Sequence, residues 1–563
     1  VKLKEALQSF LECSGTGRDP LVEMWPERRK NWSLFSNNIS EQEIELLRPY
    51  IFSYRKLPEA TADAPIDSLN FINGHWQPAV AGEFATLPAH FDRRVGLSRI
   101  ARSRDADVDA AVGAAHRFWE SLEWANETLQ YRKWVVKNLS RILNYFSEDC
   151  LREIRHQILK TRLEAEKDFW EGKRAADHLE GAADKAMAGE LMPPMISGHT
   201  YWKNNFLPGG VTAIITPMNF IYGIPIIQMV GCYLAGSPFI FKGHPFAAIT
   251  NTTLVRMLLA AGADPRVLQK LEGFGHEVTS LTSDKRVAIV SVTGSEDTAE
   301  KIAAARGVRK LWFEGGGCNW AWIDDGFSDS ELEQIAARLT YSKLALSSHK
   351  CTGLHGVAGR AETLRQLEPL FVAEFDRWRI EDPRKTDDPK IVGPVMVHQA
   401  STAESILAAA EAAGCRIVRR GGKIPGNAEV VNPAIIAGVT PSTELTVTWD
   451  DKGEKTINLA TTELFLPILV MSEMAFTDFL RFSLLTNPHD LATVFYTRDD
   501  AKLQRARRLI GGMLKENDGS DSAMEWEAFG ASGVGDSGNT GVGDVTETIR
   551  MFCRAQKGRH VVF

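Results

Sequence analysis

The sequence predicts an α/β protein carrying two parallel sheets in succession, and three observations lead there. Short apolar runs at Val211–Ile215, Pro238–Lys242, Val267–Glu272 and Ala288–Val292 are separated by helical stretches such as Thr250–Ala261. A second series begins at Lys310–Phe313 and continues through Trp320–Ile323, Gly356–Ala358, Arg416–Val418, Pro467–Met471 and Ala492–Tyr496. These runs are apolar almost throughout, as strands covered on both faces are. The length, 563 residues, exceeds what one ordinary core accommodates, so two or three domains are expected.

Residues 1–70 are weakly patterned. A short amphipathic helix is predicted from Leu3, Leu7, Phe10 and Leu11, and the Ala-Thr-Ala-Asp-Ala-Pro run before Ile66 reads as a linker. Phe71-Ile-Asn-Gly-His-Trp is a strand running into an Asn-Gly turn, a strong hairpin signal. Asp105 and Asp107 are expected to cap an Ala-rich helix through Glu120. Trp134, Val135, Leu139, Ile142, Leu143 and Phe146 keep helical spacing, and charged helical sequence runs on to about Lys185. Gly530–Gly543 is glycine-rich and is expected to be an ordered loop.

Composition narrows the function classes. A net charge of −7 is mild for this size and argues against a nucleic-acid or anionic-membrane surface. The seven cysteines (Cys13, Cys150, Cys232, Cys318, Cys351, Cys415 and Cys553) are odd in number, scattered and without a CxxC pair. Neither a disulfide framework nor a metal site is expected from them, and a reducing compartment is. Residues 204–241 lack any charge, but Pro208, Pro217, Pro225 and Pro238 rule out one spanning helix. No signal or transit peptide is legible at the start, so a cytoplasmic protein is expected.

Chemistry is suggested by a few separated motifs. Cys351 lies in Ser348-His349-Lys350-Cys351, where Lys350 or His349 would favour a thiolate. Glu314 precedes three glycines at a strand end, a place for a base acting on a thiol or a water. Asn219, in Thr216-Pro217-Met218-Asn219-Phe220, is an amide in apolar surroundings that would suit an oxyanion. Lys242 ends an apolar strand, where open α/β sheets bind ligands, and Gly273-Phe274-Gly275 and Thr293-Gly294-Ser295 end others. Taken singly, a buried structural cysteine, a solvated turn acid and a turn asparagine are the commoner readings. Together and in this order they describe a nucleophile, an oxyanion donor and a base.

That ordered set resembles the aldehyde dehydrogenase superfamily from Phe71 to about Phe529. Thr216-Pro-Met-Asn-Phe is similar to the family's Pro-Trp-Asn-Phe loop, and Phe239-Ile-Phe-Lys to its ribose-binding strand. Val292-Thr-Gly-Ser, Glu314-Gly-Gly-Gly-Cys-Asn, His349-Lys-Cys, Glu463-Leu-Phe-Leu-Pro and Asn487-Pro-His-Asp-Leu-Ala resemble further family segments. The resemblance implies a divergent member with an N-terminal extension (1–70), a Rossmann-like cofactor domain (71–313), a catalytic domain (314–525) and a C-terminal return (526–563). It also implies a small β oligomerisation element with a hairpin at about 190–208. Cys351, Glu314 and Asn219 become nucleophile, base and oxyanion donor. Thr216, Pro217, Met218, Lys242, His244, Gly275, Thr293, Gly294, Ser295, Gly315, Glu463 and Phe465 become the contacts of NAD or NADP.

The implied reaction oxidises an aldehyde or semialdehyde to its acid through a thiohemiacetal and a thioester on Cys351. Coenzyme A as acyl acceptor, or an inactive homologue kept as a binding protein, are the alternatives. The chain departs from the family at Ser348-His349, Gly356, Leu466 and Ala528–Ala531, and Gly243-His244-Pro245 replaces Pro-Ser-Glu, which makes NADP an option beside NAD. A homodimer or homotetramer is implied, with Met195–Pro208 pairing with Arg559–Phe563 of a neighbour.

Overall fold

The computed structural model describes residues 19–31, 39–52, 65–90, 92–192, 199–395, 400–424, 427–489, 491–522, 530–531, 535–539 and 544–561. The helix expected at Leu3–Leu11 and nearly all of the linker before Ile66 lie outside them, as do parts of the glycine-rich run.

A seven-stranded sheet runs in the order Leu311–Glu314, Ile289–Thr293, Thr212–Ile215, Phe239–Lys242, Leu268–Lys270, Asn70–Ile72, His75–Gln77. Its first five strands are parallel, and the Asn70–Ile72 hairpin adds antiparallel to Leu268–Lys270. The hairpin turn takes left-handed backbone at Asn73 and Gly74, with φ 51° and 82°, as a two-residue Asn-Gly turn requires. Phe239, Ile240 and Phe241 are buried completely, because helices cover both faces of this sheet.

The strand at Leu311–Glu314 corrects one expectation. The run Lys310–Phe313, expected at the head of the second series, pairs in parallel with Ile289–Thr293 and forms the edge of the first sheet. An apolar strand of this kind fits either sheet by pattern, and pairing decides. The second sheet has the order Arg416–Arg419, Ala434–Ala437, Ile468–Glu473, Leu354–Gly359, Asn319–Ile323, Ala492–Tyr496, Met513–Glu516. It is parallel apart from the Arg416–Arg419 edge, which runs antiparallel to Ala434–Ala437.

The Ala-rich helix spans Asp105–Glu120, but Arg104 is its N-cap residue. Asp107 accepts the Arg104 backbone N–H at 3.0 Å, whereas Asp105 accepts from the Ser280 hydroxyl and does not cap. Helices at Leu129–Tyr145 and Arg162–Met187 match the expected amphipathic stretches. Short helices at Pro20–Glu23 and Glu41–Ile51 bury Leu21, Ile44, Leu47 and Ile51 in the core beneath the first sheet.

A three-stranded antiparallel sheet joins Glu190–Met192, His199–Pro208 and Cys553–Val561. The expected partner of the C-terminal strand was a neighbouring subunit; here Arg559 pairs with Tyr201 of its own chain. The chain end reaches this strand because the Val545–Arg550 helix packs against the Arg162–Met187 helix. Residues 193–198 and 562–563 lie outside the described residues. Among the described residues no helix is long and apolar enough to cross a membrane.

Candidate active site

Four of the residues singled out in the sequence stand at the carboxyl edge of the first sheet. Thr216 follows the strand Thr212–Ile215, and Lys242, Thr293 and Glu314 end three others. The register sets them level: Ile215 lies beside Lys242, and Thr293 beside Glu314. This edge is where open α/β sheets take nucleotides.

Glu314 is 3% exposed and its Oε2 accepts the Ala531 N–H at 2.9 Å. The glycines that follow it are required by close approach. A Cβ on Gly316 would fall 2.2 Å from Glu463 Oε2, and one on Gly317 2.2 Å from the Cys351 carbonyl oxygen. Gly317 N–H donates to Glu463 Oε1 at 3.0 Å. Asn319 then donates to the carbonyls of Cys351 and Gly353 at 2.7 and 2.8 Å, tying the Cys351 turn to the second sheet. It belongs to a motif recognised in the sequence, but only the fold gives it this task.

The segment before Cys351 is bent. Leu346, Ser347 and Ser348 have φ of 53°, 53° and 67°, three successive left-handed residues without a glycine. Such backbone costs about 1–3 kcal/mol per residue and persists only where neighbours hold it. Ser347 Oγ accepts the Gly393 N–H at 2.8 Å, Ser348 Oγ donates to the Lys343 carbonyl at 2.5 Å, and the Glu164 carboxylate accepts the Leu346 N–H. The two serines thus fasten the strained turn, which accounts for Ser348 at a position that departs from the family pattern.

Asn219 Nδ2 donates to the His349 carbonyl at 3.1 Å, so the Asn219 loop and the Cys351 loop meet. Asp168 holds the Asn219 loop from behind. Its carboxylate accepts the N–H groups of Ile221, Tyr222 and Gly223 at 3.1, 3.2 and 2.8 Å. No sequence signal marks Asp168, which sits among charged residues of a long helix.

Thiolate activation by the neighbours is not what the structure has. Lys350 Nζ turns to Asp521, and His349 Nδ1 lies 2.9 Å from the Leu346 carbonyl. Burial, and then the charges of Glu314, Glu463 and Glu171, push the Cys351 thiol up. Alkylation of Cys351 by iodoacetamide is therefore expected to be still rising with pH at about pH 9. Glu314→Gln, by removing a negative charge, should speed it at fixed pH. Peptide mass spectrometry of Cys351 reads both, and a plateau near neutral pH would contradict the expectation.

Cys351, Glu314 and Phe220 line a cavity of about 530 Å³ that Thr352, Leu491 and Val545 help to close. Glu463 and Phe465 border a smaller neighbouring cavity with Lys343 and Gly317. Burial pushes Glu463 up to about 8 and Lys343 down to about 7, and each is drawn back by the other's charge.

The strand-end residues fit a dinucleotide. Thr216 Oγ1 is buried with no hydrogen-bond partner. Among the described residues Lys242, 5% exposed, donates only to the Gly243 carbonyl, and burial pushes it down to about 8. Pro217 and Met218 follow Thr216, and Gly315 follows Glu314. A Cβ on Gly275 would meet nothing within 4 Å, and one on Gly294 only Val292 Cγ2 at 4.0 Å, so both turns are open to a ligand. Ser295 is the N-cap residue of the Glu296–Arg306 helix, and Gln228 Nε2 donates to Thr293 Oγ1. His244 is neutral: burial and then the Lys242 charge push it down to about 3, and its Nδ1 accepts the Phe246 N–H.

Comparison with known proteins gives a family and a fold. A model of the aldehyde dehydrogenase family matches residues 89–557. Malonate-semialdehyde dehydrogenase 1 of Bacillus anthracis is 26% identical over 501 residues, which are 86% of this chain and 96% of that protein. Betaine aldehyde dehydrogenase of Staphylococcus aureus, solved with NAD+, superposes with a TM-score of 0.78 at 19% identity, covering 88% of this chain and 94% of that one. Methylmalonate-semialdehyde dehydrogenase of Oceanimonas doudoroffii also gives 0.78 at 19% identity, over 88% and 98% of the two chains. At such identities the superpositions speak for the fold alone.

Proposed function

The chain belongs to the aldehyde dehydrogenase family, and on that premise we propose that it oxidises an aldehyde or semialdehyde to its carboxylic acid with NAD or NADP, using Cys351 as nucleophile. The observation that carries the proposal is the convergence of the Asn219 loop, Glu314 and Cys351 on one cavity beside the strand ends that fit a dinucleotide.

Cys351 reacts as the thiolate, its proton released to solvent water: Sγ bonds to the aldehyde carbon while the carbonyl π electron pair moves to oxygen. The oxyanion is held by Asn219 Nδ2–H, whose second N–H makes no bond among the described residues, and by the Cys351 backbone N–H. Thr216, Lys242, Thr293, Gly294 and Glu463 would hold NAD(P), which would supply the hydride acceptor. The oxyanion pair returns as the C–H bond breaks, leaving a thioester on Cys351. Glu314, oriented by the Ala531 N–H, takes a proton from water; the water oxygen attacks, the C–S bond breaks and the acid departs.

The test is NAD(P)H formation over an aldehyde panel with and without coenzyme A. Water as acceptor predicts turnover independent of coenzyme A, and strict dependence on it would transfer the thioester to a thiol instead. Glu314→Gln is expected to keep one rapid turnover and to slow the steady state about 100-fold or more, read as a burst of NAD(P)H with the acyl group retained on Cys351. A steady state equal to wild type would remove Glu314 from its role. A cytoplasmic homodimer or homotetramer completes the reading.

A further inference from the structure

We propose that Lys343 is a positioning residue for the cofactor: across a small cavity it supplies the positive charge that balances the Glu463 carboxylate when a ribose hydroxyl donates to it. The inference rests on the aldehyde dehydrogenase reading, which makes Glu463 a cofactor contact, and adds the group that answers its charge.

Lys343 stands in the last turn of the Asp329–Leu344 helix and is 4% exposed. Leu339 and Leu344 of the same helix pack into the core of the second sheet. Lys343 instead lines the small cavity that Gly317, His355, Glu463 and Phe465 share, about 10 Å³ and so room for about one water. Among the described residues its ammonium has no hydrogen bond and no ion pair. Across the cavity Glu463 Oε1 accepts the Gly317 N–H at 3.0 Å, the carboxylate's one hydrogen bond among the described residues. A carboxylate has about four acceptor sites, so most of them stay open to a ribose hydroxyl. A buried ammonium and a buried carboxylate are each costly alone and much less so as a pair.

The other ionisable groups facing Glu463 do not answer its charge. His355 lies on the same cavity wall, but burial and then the Lys343 charge push it down to about 3, and its Nε2 lies 2.8 Å from the Leu459 carbonyl. Lys350 turns to Asp521. Burial pushes the thiols of Cys318 and Cys351 up, and Cys318 Sγ donates to the Ala460 carbonyl at 3.2 Å. Lys343 alone is left among the described residues. A ribose hydroxyl donates best to an ionised carboxylate. With Lys343 in place the compensating proton stays on its amine, and the pair keeps a net charge of zero. Without it Glu463, pushed up by burial, must release its proton to solvent when the hydroxyl binds. Affinity then falls as pH falls, by up to about tenfold per unit.

The experiment measures the Kd for NAD+, or for NADP+ where it binds more tightly, from about pH 6 to 9 by quenching of intrinsic fluorescence. The readout is the ratio of variant to wild-type Kd, in which the cofactor's own titration cancels. For Lys343→Met and Lys343→Gln the ratio is expected to rise about tenfold or more between pH 8 and pH 6. A merely structural loss would raise it equally at every pH. Glu463→Gln should weaken binding by one constant factor, because the intact pair takes up no net proton. Ratios independent of pH in the Lys343 variants overturn the proposal and leave the aldehyde dehydrogenase reading intact. So does a Glu463→Gln ratio that climbs with pH, which would show Glu463 titrating without a counter-charge and needs no Lys343 variant to fold. Binding by Glu463→Gln equal to that of wild type also overturns it. Failure of the wild type to bind either cofactor overturns the reading on which the proposal rests.

Discussion

Replacing Cys351 by serine is expected to lower aldehyde-dependent NAD(P)H formation by about four orders of magnitude or more, the scale of losing a covalent nucleophile. Serine preserves the turn. The Cys351 carbonyl would still accept from Asn319 and its neighbours would keep their bonds to Gly393 and Lys343. Cofactor binding, measured by quenching of intrinsic fluorescence, should therefore persist, because the strand-end residues around Lys242 and Thr293 are untouched. The other cysteines offer no substitute among the described residues. Cys150, Cys232, Cys318, Cys415 and Cys553 are all buried, and none lines the cavity. Activity within tenfold of wild type would show that another residue attacks the aldehyde.

Asn219→Ala is expected to reduce kcat by about 100- to 1,000-fold, the loss of one oxyanion donor at about 3–4 kcal/mol. In the structure the amide already bridges to the His349 carbonyl, so its removal also frees one hold on the nucleophile loop. The two contributions can be told apart. An oxyanion effect lowers kcat with cofactor affinity kept, whereas a loosened loop changes the pH dependence of Cys351 alkylation as well. Asp168 and Lys160 support the Asn219 loop independently, so the variant should remain folded. Near-full turnover would take Asn219 out of the reaction.

Much of this site is legible before any coordinates. Glu314 can be read only together with Asn219 and Cys351, since singly a solvated turn acid is the commoner reading, and the structure gives the reason for the glycines after it in the approach of Glu463 and Cys351 to Gly316 and Gly317. Lys242 and Thr293 can be read because each ends a run of apolar residues. His349 and Lys350 mislead. Beside a cysteine they suggest an activated thiol, yet one faces its own loop and the other faces Asp521, 171 residues away in the chain. Asp168 and Asp521 carry no signal at all, since a carboxylate in a charged helix or a polar loop looks like any solvated acid.

The sequence by itself determined most of the order of strands and helices, the residues that end the strands and the grouping of Cys351, Glu314 and Asn219 as candidates. These follow from apolar periodicity and from short motifs, which depend on near neighbours along the chain. Only the tertiary structure decided that Leu311–Glu314 closes the first sheet, that Cys553–Val561 returns to its own chain, and that three cations meet at Asp521 near Cys351. Those outcomes are set by pairing and packing between segments hundreds of residues apart, where burial fixes which polar groups find partners and which are left for a ligand.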